Sequence, residues 1–600
     1  MEAVKKRCEI DDQFKWDLED IYPSDAAWRA AYTGVDAQIA KMEAHKGHMM
    51  ASAASFWAAV TDAMTLSEET GRLYVYAQMR FHQNERDEVY QGMAGEADML
   101  AARVRTASSF MTPEILEAPA SVIETFLEAE PRLSLYRHYI EELTRLRAHR
   151  LPAEQEALMA LASESLEAPE QIAQMLRNAD MSFGHITDED GNPTELTAER
   201  FIVFMEKDDR EVRKAAYTRM YETYRGYKNT FASAYAGRVK ASVFNAKARK
   251  FDSCLEASLA ENGIPAEVYR NLIASVNEAL PLLHRYMRLR KQALGVSELH
   301  MYDVYTPIVK DAAMTFTFEE AKQTILEALA PMGADYIALL QKGFSERWID
   351  VYENEGKHSG AYSWGAYGTK PYVLLNYQDT LDNLFTLAHE MGHSLHSWYS
   401  REAQPYVYAD YPIFLAEIAS TVNEALLMQY LLGICKDMRT RAYLLNKFVE
   451  QFRTTFFRQT MFAEFELLTH EMVEAGKPLT AGGLCTLYKS LNEKYYGPNV
   501  TYDDLIDNEW MRIPHFYYQF YVYQYATGFA SAVAFSKAIL ETDGAVGQYK
   551  NLLTGGSAKD ALSIAKEAGV DMAKPDFVRD AMAVFASVLT ELETVMEALA

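Results

Sequence analysis

Two stripes run along residues 381–400 at helical spacing, and they constrain the chain more than any other feature. Leu381, Leu384, Ala388, Met391, Leu395 and Trp398 recur at steps of three and four, the period of an α-helix with one buried face. His389, His393 and His396 form a second stripe, rotated away from the first. A helix built this way packs one face into a core and turns an imidazole-bearing face towards a cavity. Asp379 and Thr380 precede it as candidate caps.

Within that helix stands His389-Glu390-Met391-Gly392-His393. Residues four apart share a helix face, so His389 and His393 offer two imidazoles to one metal ion. Glu390, next to a ligand, reaches a water on that ion. The spacing predicts zinc-assisted hydrolysis of a peptide bond, with Glu390 as general base.

A catalytic zinc takes three protein ligands and leaves a position open for water. Residues 413–432, IFLAEIASTVNEALLMQYLL, read as a largely buried helix, with Pro412 in the place of a first helical residue and Asp410 before it as a cap. Glu417 and Glu424 interrupt the apolar run and lie on one face. Buried carboxylates are paired or bind metal. Glu417 is expected as the third ligand of one Zn²⁺ per chain. Glu424, two turns on, is placed to accept a ring N–H from a ligand histidine; its alternative is a pair with a Lys or Arg elsewhere.

HEMGHSLH followed by FLAEIASTVNE resembles the oligoendopeptidase F branch of the thimet-oligopeptidase family of zinc metallopeptidases. That family carries His-Glu-x-Gly-His-x-x-His and a glutamate ligand further on; here Glu417 follows His393 by 24 residues. Thimet oligopeptidase has a proline two residues after that glutamate, where this chain has Ala419, as fits the bacterial branch. His396 matches the third motif histidine, which is not a ligand in the family. WDLEDIYPSDAAW at 16–28 resembles the opening of oligoendopeptidase F members.

The resemblance extends to two further segments. GKHSGAY at 356–362 is similar to the family's GKxSGAY, which implies substrate binding. The residues themselves predict a glycine-bearing loop over 354–371 and a strand at 372–377, YVLLNY, whose edge beside the metal would bind an extended peptide through backbone hydrogen bonds. IPHFYYQFYVYQYATG at 513–528 holds His515, Tyr517, Tyr518, Tyr521, Tyr523 and Tyr525. Some of these rings belong to a core, but imidazole and phenol groups also donate to an oxyanion. The family has a His followed by a Tyr cluster here, which implies that His515 serves the transition state. Tyr523 is the first choice among the tyrosines, then Tyr518 and Tyr525.

The fold class expected is mainly α, with a small β-sheet beside the zinc site. Residues 31–180 are rich in Ala, Glu, Leu, Met and Arg and poor in Gly, with Pro113, Pro119, Pro131 and Pro152 marking helix starts or connections. Asp190-Gly191, between short β-prone runs, predicts a hairpin, and 299–309 a short strand or extended loop. A boundary near 195 would separate an N-terminal helical domain, 1–195, from a catalytic domain, 196–600. The resemblance implies that these enclose a deep channel for short, unfolded peptides.

Charge and cysteines narrow the partners. The net charge of −26 argues against nucleic-acid binding. Cys8, Cys254, Cys435 and Cys485 are widely spaced, as in a reducing compartment. The N-terminus shows no apolar run after its basic residues, and no stretch of about eighteen uncharged apolar residues spans a bilayer. A cytoplasmic enzyme acting on oligopeptides is expected, with no membrane or nucleic-acid partner; the sequence assigns no oligomeric state. The alternative is a zinc carboxypeptidase or dipeptidyl carboxypeptidase, which needs a cation for the substrate's terminal carboxylate, and Arg512 lies near the Tyr cluster.

Overall fold

Helix formers in long amphipathic runs dictate most of this structure, a computed structural model that describes residues 4–309 and 314–599. Short strands are few: β1 His185–Thr187, β2 Pro193–Glu195, β3 Leu299–His300, β4 Ile349–Asp350, β5 Tyr362–Trp364, β6 Tyr372–Leu374 and β7 Val500–Thr501. The expected mainly α class is what the chain adopts. No described helix is long and apolar enough to cross a membrane.

The chain divides into two units. The first comprises Met1–Arg147, Met314–Tyr430 and Phe535–Val570. Its helices Asp25–Glu43, Ala53–Gln83 and Glu88–Ser108 pack on one another, each started by a side-chain cap from Ser24, Ser52 or Asp87. Their core holds Trp28, Phe56, Tyr76 and Leu100, and Trp28 Nε1 donates to the Leu73 carbonyl at 2.9 Å. Ala366, Tyr372 and Leu374, far along the chain, join that core. This shared core is why the boundary expected near 195 does not coincide with a contact boundary: residues up to 147 pack with the segment that carries the metal motif.

The small sheet has the order β4-β6-β5, with β6 parallel to β4 and antiparallel to β5 (Ser363 opposite Val373). The strand expected over 372–377 is β6, but it is shorter, central and fully buried. The edges are β4, which is buried, and β5, which lies inside the segment read as loop.

The second unit comprises Ala148–Ala313, Leu431–Ala534 and Asp571–Ala600. The hairpin at Asp190-Gly191 forms as expected from β1 and β2, with Gly191 at φ 82°. β3 pairs with β7 in parallel. Tyr217, Tyr221, Tyr224, Tyr235 and Tyr269 fill the interior of helices Arg210–Gly226, Lys228–Ala248 and Ala266–Ala293. Buried charge there is matched: Glu509 accepts from Arg458, Tyr488 and Tyr221.

Candidate metal centre

The histidine helix spans Leu381–Ala403 and starts at Thr380, whose hydroxyl accepts the Asn383 N–H at 3.2 Å. Its apolar stripe is sealed: Leu384, Ala388, Met391 and Leu395 are fully buried. The glutamate helix spans Ile413–Ile434, and the Pro412 carbonyl accepts from Leu415 and Ala416 in its first turn. The two helices meet at Gly392. A Cβ there would lie 2.6 Å from Ser420 Cα and 2.9 Å from the Ala419 carbonyl oxygen, closer than side-chain carbons approach backbone. Asn423 fixes the crossing: its Nδ2 donates to the Ala388 carbonyl at 3.1 Å, and its Oδ1 accepts from the Tyr336 hydroxyl at 2.9 Å.

That crossing brings three donors to one point. His389 Nε2 and His393 Nε2 are 3.2 Å apart, and Glu417 Oε2 lies 3.6 Å and 3.9 Å from them. The point equidistant from the three is about 2.1 Å from each, the length of a Zn–N or Zn–O bond. His389 Nδ1–H donates to Glu424 Oε1 at 2.6 Å, which leaves its Nε2 lone pair facing that point. The His393 ring hydrogen-bonds the Ala416 backbone. Two imidazoles and a carboxylate, with lone pairs converging at bonding distance, fit a zinc ion. Glu417 differs from the buried carboxylate expected: its side chain is 50% exposed, so the site has an open side.

Charge is concentrated here. Burial disfavours a protonated His389, but the Glu424 hydrogen bond and the charges of Glu424, Glu390 and Glu417 outweigh it and raise its pKa. Burial and the His389 charge push His393 down to about 3, so its ring is neutral and free to ligate. Glu390 is 7% exposed. Burial, opposed by His389 and reinforced by Glu417 and Glu424, pushes its carboxyl up to about 7. The Ser363 backbone in edge strand β5 hydrogen-bonds Glu390, and Ser363 Oγ lies 2.8 Å from Ser394 Oγ. Glu390 Oε2 has no hydrogen-bond partner among the described residues. His396 is no part of the donor set: it is fully buried and stacked on Tyr411 at 3.5 Å.

In the segment GKHSGAY, Lys357 is a structural pin, buried against Asp350 at 2.8 Å. The next residue, His358, belongs to a second titratable cluster with His82 and Glu85. The rings of His82 and His358 stack at 4.4 Å and 23°, so their in-plane lone pairs run side by side instead of converging, and His358 Nδ1 pairs with Glu85 at 2.5 Å.

His515 and the tyrosine segment belong to the second unit. His515 sits among Tyr518, Tyr521 and Tyr525, with ring centroids 5.7, 6.3 and 6.1 Å away. Tyr518 is 51% and Tyr525 37% exposed. Tyr523, the first choice from the sequence, is 1% exposed and packs on Tyr269 at 5.2 Å. Tyr523 begins the helix Tyr523–Glu541 on its inward face, so its ring goes to the core. Arg512 is half-buried, 3.5 Å from Glu509, with its guanidinium over the Phe201 ring.

The sequence pattern of peptidase family M3 matches residues 203–584, and that of oligopeptidase F matches 114–183. The chain belongs to peptidase family M3, in its oligopeptidase F branch. This M3 peptidase is 47% identical over 591 residues to the oligopeptidase PepF of Bacillus subtilis, covering 98% of this chain and 88% of that one. It is 42% identical to the group B oligopeptidase PepB of Streptococcus agalactiae, covering 98% of each. A crystal structure of oligoendopeptidase-F from Enterococcus faecium superposes with a TM-score of 0.73 at 40% identity, covering 96% of this chain and 99% of that one. A crystal structure of a peptidase from Chlamydophila abortus superposes with a TM-score of 0.95 at 36% identity, covering 99% of this chain and 100% of that one.

Several residues that build the centre were given no role from the sequence: Asn423, Ser363, Tyr411 and Gly392, the last standing in the motif without an assigned part. Gly392 and Ala419–Ser420 were the available signal, small residues on two helices that share a site.

Proposed function

We propose that this M3 peptidase is a zinc-dependent endopeptidase that hydrolyses internal bonds of short, unfolded oligopeptides. The observation that supports it most is the triangle of His389 Nε2, His393 Nε2 and Glu417 Oε2, with edges of 3.2, 3.6 and 3.9 Å. These three residues would hold one Zn²⁺, with Glu424 orienting His389. When bound, the ion polarises the scissile carbonyl and lowers the pKa of a water. Glu390 takes the water proton on its carboxylate and passes it to the leaving amine. The β5 edge, held to Glu390 through Ser363, lines up an extended peptide by backbone hydrogen bonds. His515 donates to the oxyanion developing on the scissile carbonyl, and Tyr518 or Tyr525, with exposed rings, takes the part first given to Tyr523.

The carboxypeptidase alternative relied on Arg512, which stands in the second unit 3.5 Å from Glu509 with its guanidinium over the Phe201 ring. Peptides amidated at the C-terminus separate the two readings. An endopeptidase cleaves them as it cleaves the free acids; an enzyme that loses them entirely needs the terminal carboxylate, and the endopeptidase reading fails. Metal analysis accompanies the assay: His393→Ala and Glu417→Ala should lose zinc and activity together while keeping the helical circular-dichroism spectrum.

A further inference from the structure

Residues 517–521 of the second unit turn through a backbone that residues with side chains rarely take. Gln519 and Phe520 have φ of 53° and 55°, the left-handed region where Cβ crowds the neighbouring carbonyl. Two such residues in succession, neither a glycine, persist only where the surroundings hold them.

The surroundings are three side chains from three helices. Arg238, in Lys228–Ala248, donates from Nε to the Tyr517 carbonyl at 2.9 Å. Ser258, in Cys254–Ala260, donates from Oγ to the Gln519 carbonyl at 2.9 Å. The Phe520 N–H donates to Glu466 Oε1 at 2.5 Å, from the interior of Arg458–Glu474. The Phe520 ring then closes on His470 at 4.6 Å and Tyr269 at 5.5 Å.

Glu466 stands out among the three. It is fully buried on a helix whose neighbours are Phe462, Phe465 and Leu467, where an apolar residue would avoid the cost of burying a carboxyl. Burial, opposed by the Phe520 N–H and the Arg238 charge, pushes its pKa up to about 8. Its Oε2 has no hydrogen-bond partner among the described residues. The contact it does make is to the strained turn, and that turn sits between His515 and Tyr521, whose rings lie parallel at 5°.

We propose that Glu466 is a positioning residue: it holds the 517–521 turn in its left-handed form and thereby sets where His515, Tyr518 and Tyr521 present their polar atoms. This rests on the reading that His515 and its tyrosines serve turnover. Without the Glu466 acceptor, the Phe520 N–H loses its partner and the turn relaxes towards ordinary φ, carrying the flanking rings with it. A displacement of about 1 Å at a group that meets the transition state is enough to cost up to ~100-fold in rate.

Glu466→Leu and Glu466→Gln in the zinc-loaded full chain test this, with His515→Ala alongside. Leu matches the volume and removes the acceptor; Gln keeps a carbonyl oxygen for the Phe520 N–H and resembles the neutral carboxyl. Expected are a kcat at least about 10-fold lower for Glu466→Leu, with KM changed by less than about threefold, and recovery to within about threefold of wild type in Glu466→Gln. Zinc content and the circular-dichroism spectrum stay at wild-type values. If Glu466→Leu does not accumulate as folded protein, Ser258→Ala releases the Gln519 carbonyl and is expected to lower kcat in the same direction with unchanged KM. A normal kcat in Glu466→Leu, or in Ser258→Ala where that variant stands in, beside a crippled His515→Ala overturns the anchor alone. A His515→Ala enzyme with normal kcat overturns the functional reading of the segment, and the anchor with it.

Discussion

Replacing Gly392 with Ala tests whether helix contact sets the metal geometry. The added Cβ would lie 2.6 Å from Ser420 Cα, 2.9 Å from the Ala419 carbonyl oxygen and 3.1 Å from the Ser420 nitrogen. All three are helix backbone, so no side chain can swing aside. Ordinary contact between such carbons is about 3.5–4.0 Å, so the helices must part by roughly 1 Å. Overpacking of this kind costs about 1–3 kcal/mol. The separation also acts on the donors. The Glu417 edges of 3.6 and 3.9 Å lengthen, while the His389–His393 edge, within one helix, keeps its 3.2 Å. With 1 Å added to both long edges, the equidistant point recedes from about 2.1 to about 2.5 Å, beyond a Zn–O bond. Rotation of the half-exposed Glu417 side chain recovers part of that. Zinc affinity is therefore expected to fall about 10–100-fold, the size of loss seen when ligand support is disturbed. Competition with a graded chelator, followed by metal analysis, reads the affinity, and calorimetry reads the loss of stability. Gly433→Ala is the control, because nothing lies within 4 Å of the Cβ it would add. A Gly392→Ala protein with wild-type zinc affinity and unfolding temperature would refute the reasoning.

Three other outcomes follow from the same geometry. Glu390→Gln should keep its zinc and bind peptide while kcat falls by about 10²–10⁴-fold; loss of the metal instead would make Glu390 a ligand. Tyr525→Phe or Tyr518→Phe should lower kcat by about 10²–10³-fold with KM nearly constant, whereas Tyr523→Phe, altered inside the core, should act on stability; steady-state kinetics of the three variants decide it. Glu466 keeps its proton to about 8 when folded, against 4.5 for an ordinary glutamate side chain, so from pH 4.5 to about 8 unfolding releases that proton and stability falls as pH rises; urea midpoints between pH 5 and 8 should fall more steeply for wild type than for Glu466→Gln.

How far the sequence revealed this centre depends on the kind of signal each residue carried. His389, His393 and Glu417 were legible because helical period converts spacing into a shared face, and the structure brings their donor atoms together. Glu424 was legible for the same reason. Thr380 as cap and the hairpin at Asp190-Gly191 were legible because their backbone chemistry is local, whereas Pro412, read as the first helical residue, precedes a helix that begins at Ile413. The edge strand was misplaced for a physical reason: YVLLNY has the stronger β pattern because it is central and buried, whereas the edge at Tyr362–Trp364, of equal length, is flanked by Gly360 and Gly365 and half-buried. Strand propensity marks burial better than it marks the edge that a peptide would meet.

The tyrosine segment shows where periodicity gives out. Tyr521, Tyr523 and Tyr525 alternate in sequence, but the chain passes from a left-handed turn at Gln519–Phe520 into a helix at Tyr523. No single period therefore relates their faces, and spacing from His515 could not separate the core ring of Tyr523 from the exposed ring of Tyr525. The deciding contacts come from Tyr269 and Glu466, hundreds or tens of residues away, which bury one face of the segment and pin its turn. The same logic holds at Gly392, whose role is visible only against Ser420 on the facing helix. In both places a residue that binds nothing determines where a polar atom stands. Positions that fix geometry through backbone contact are thus the ones most worth mutating, since they separate the presence of a functional group from its placement.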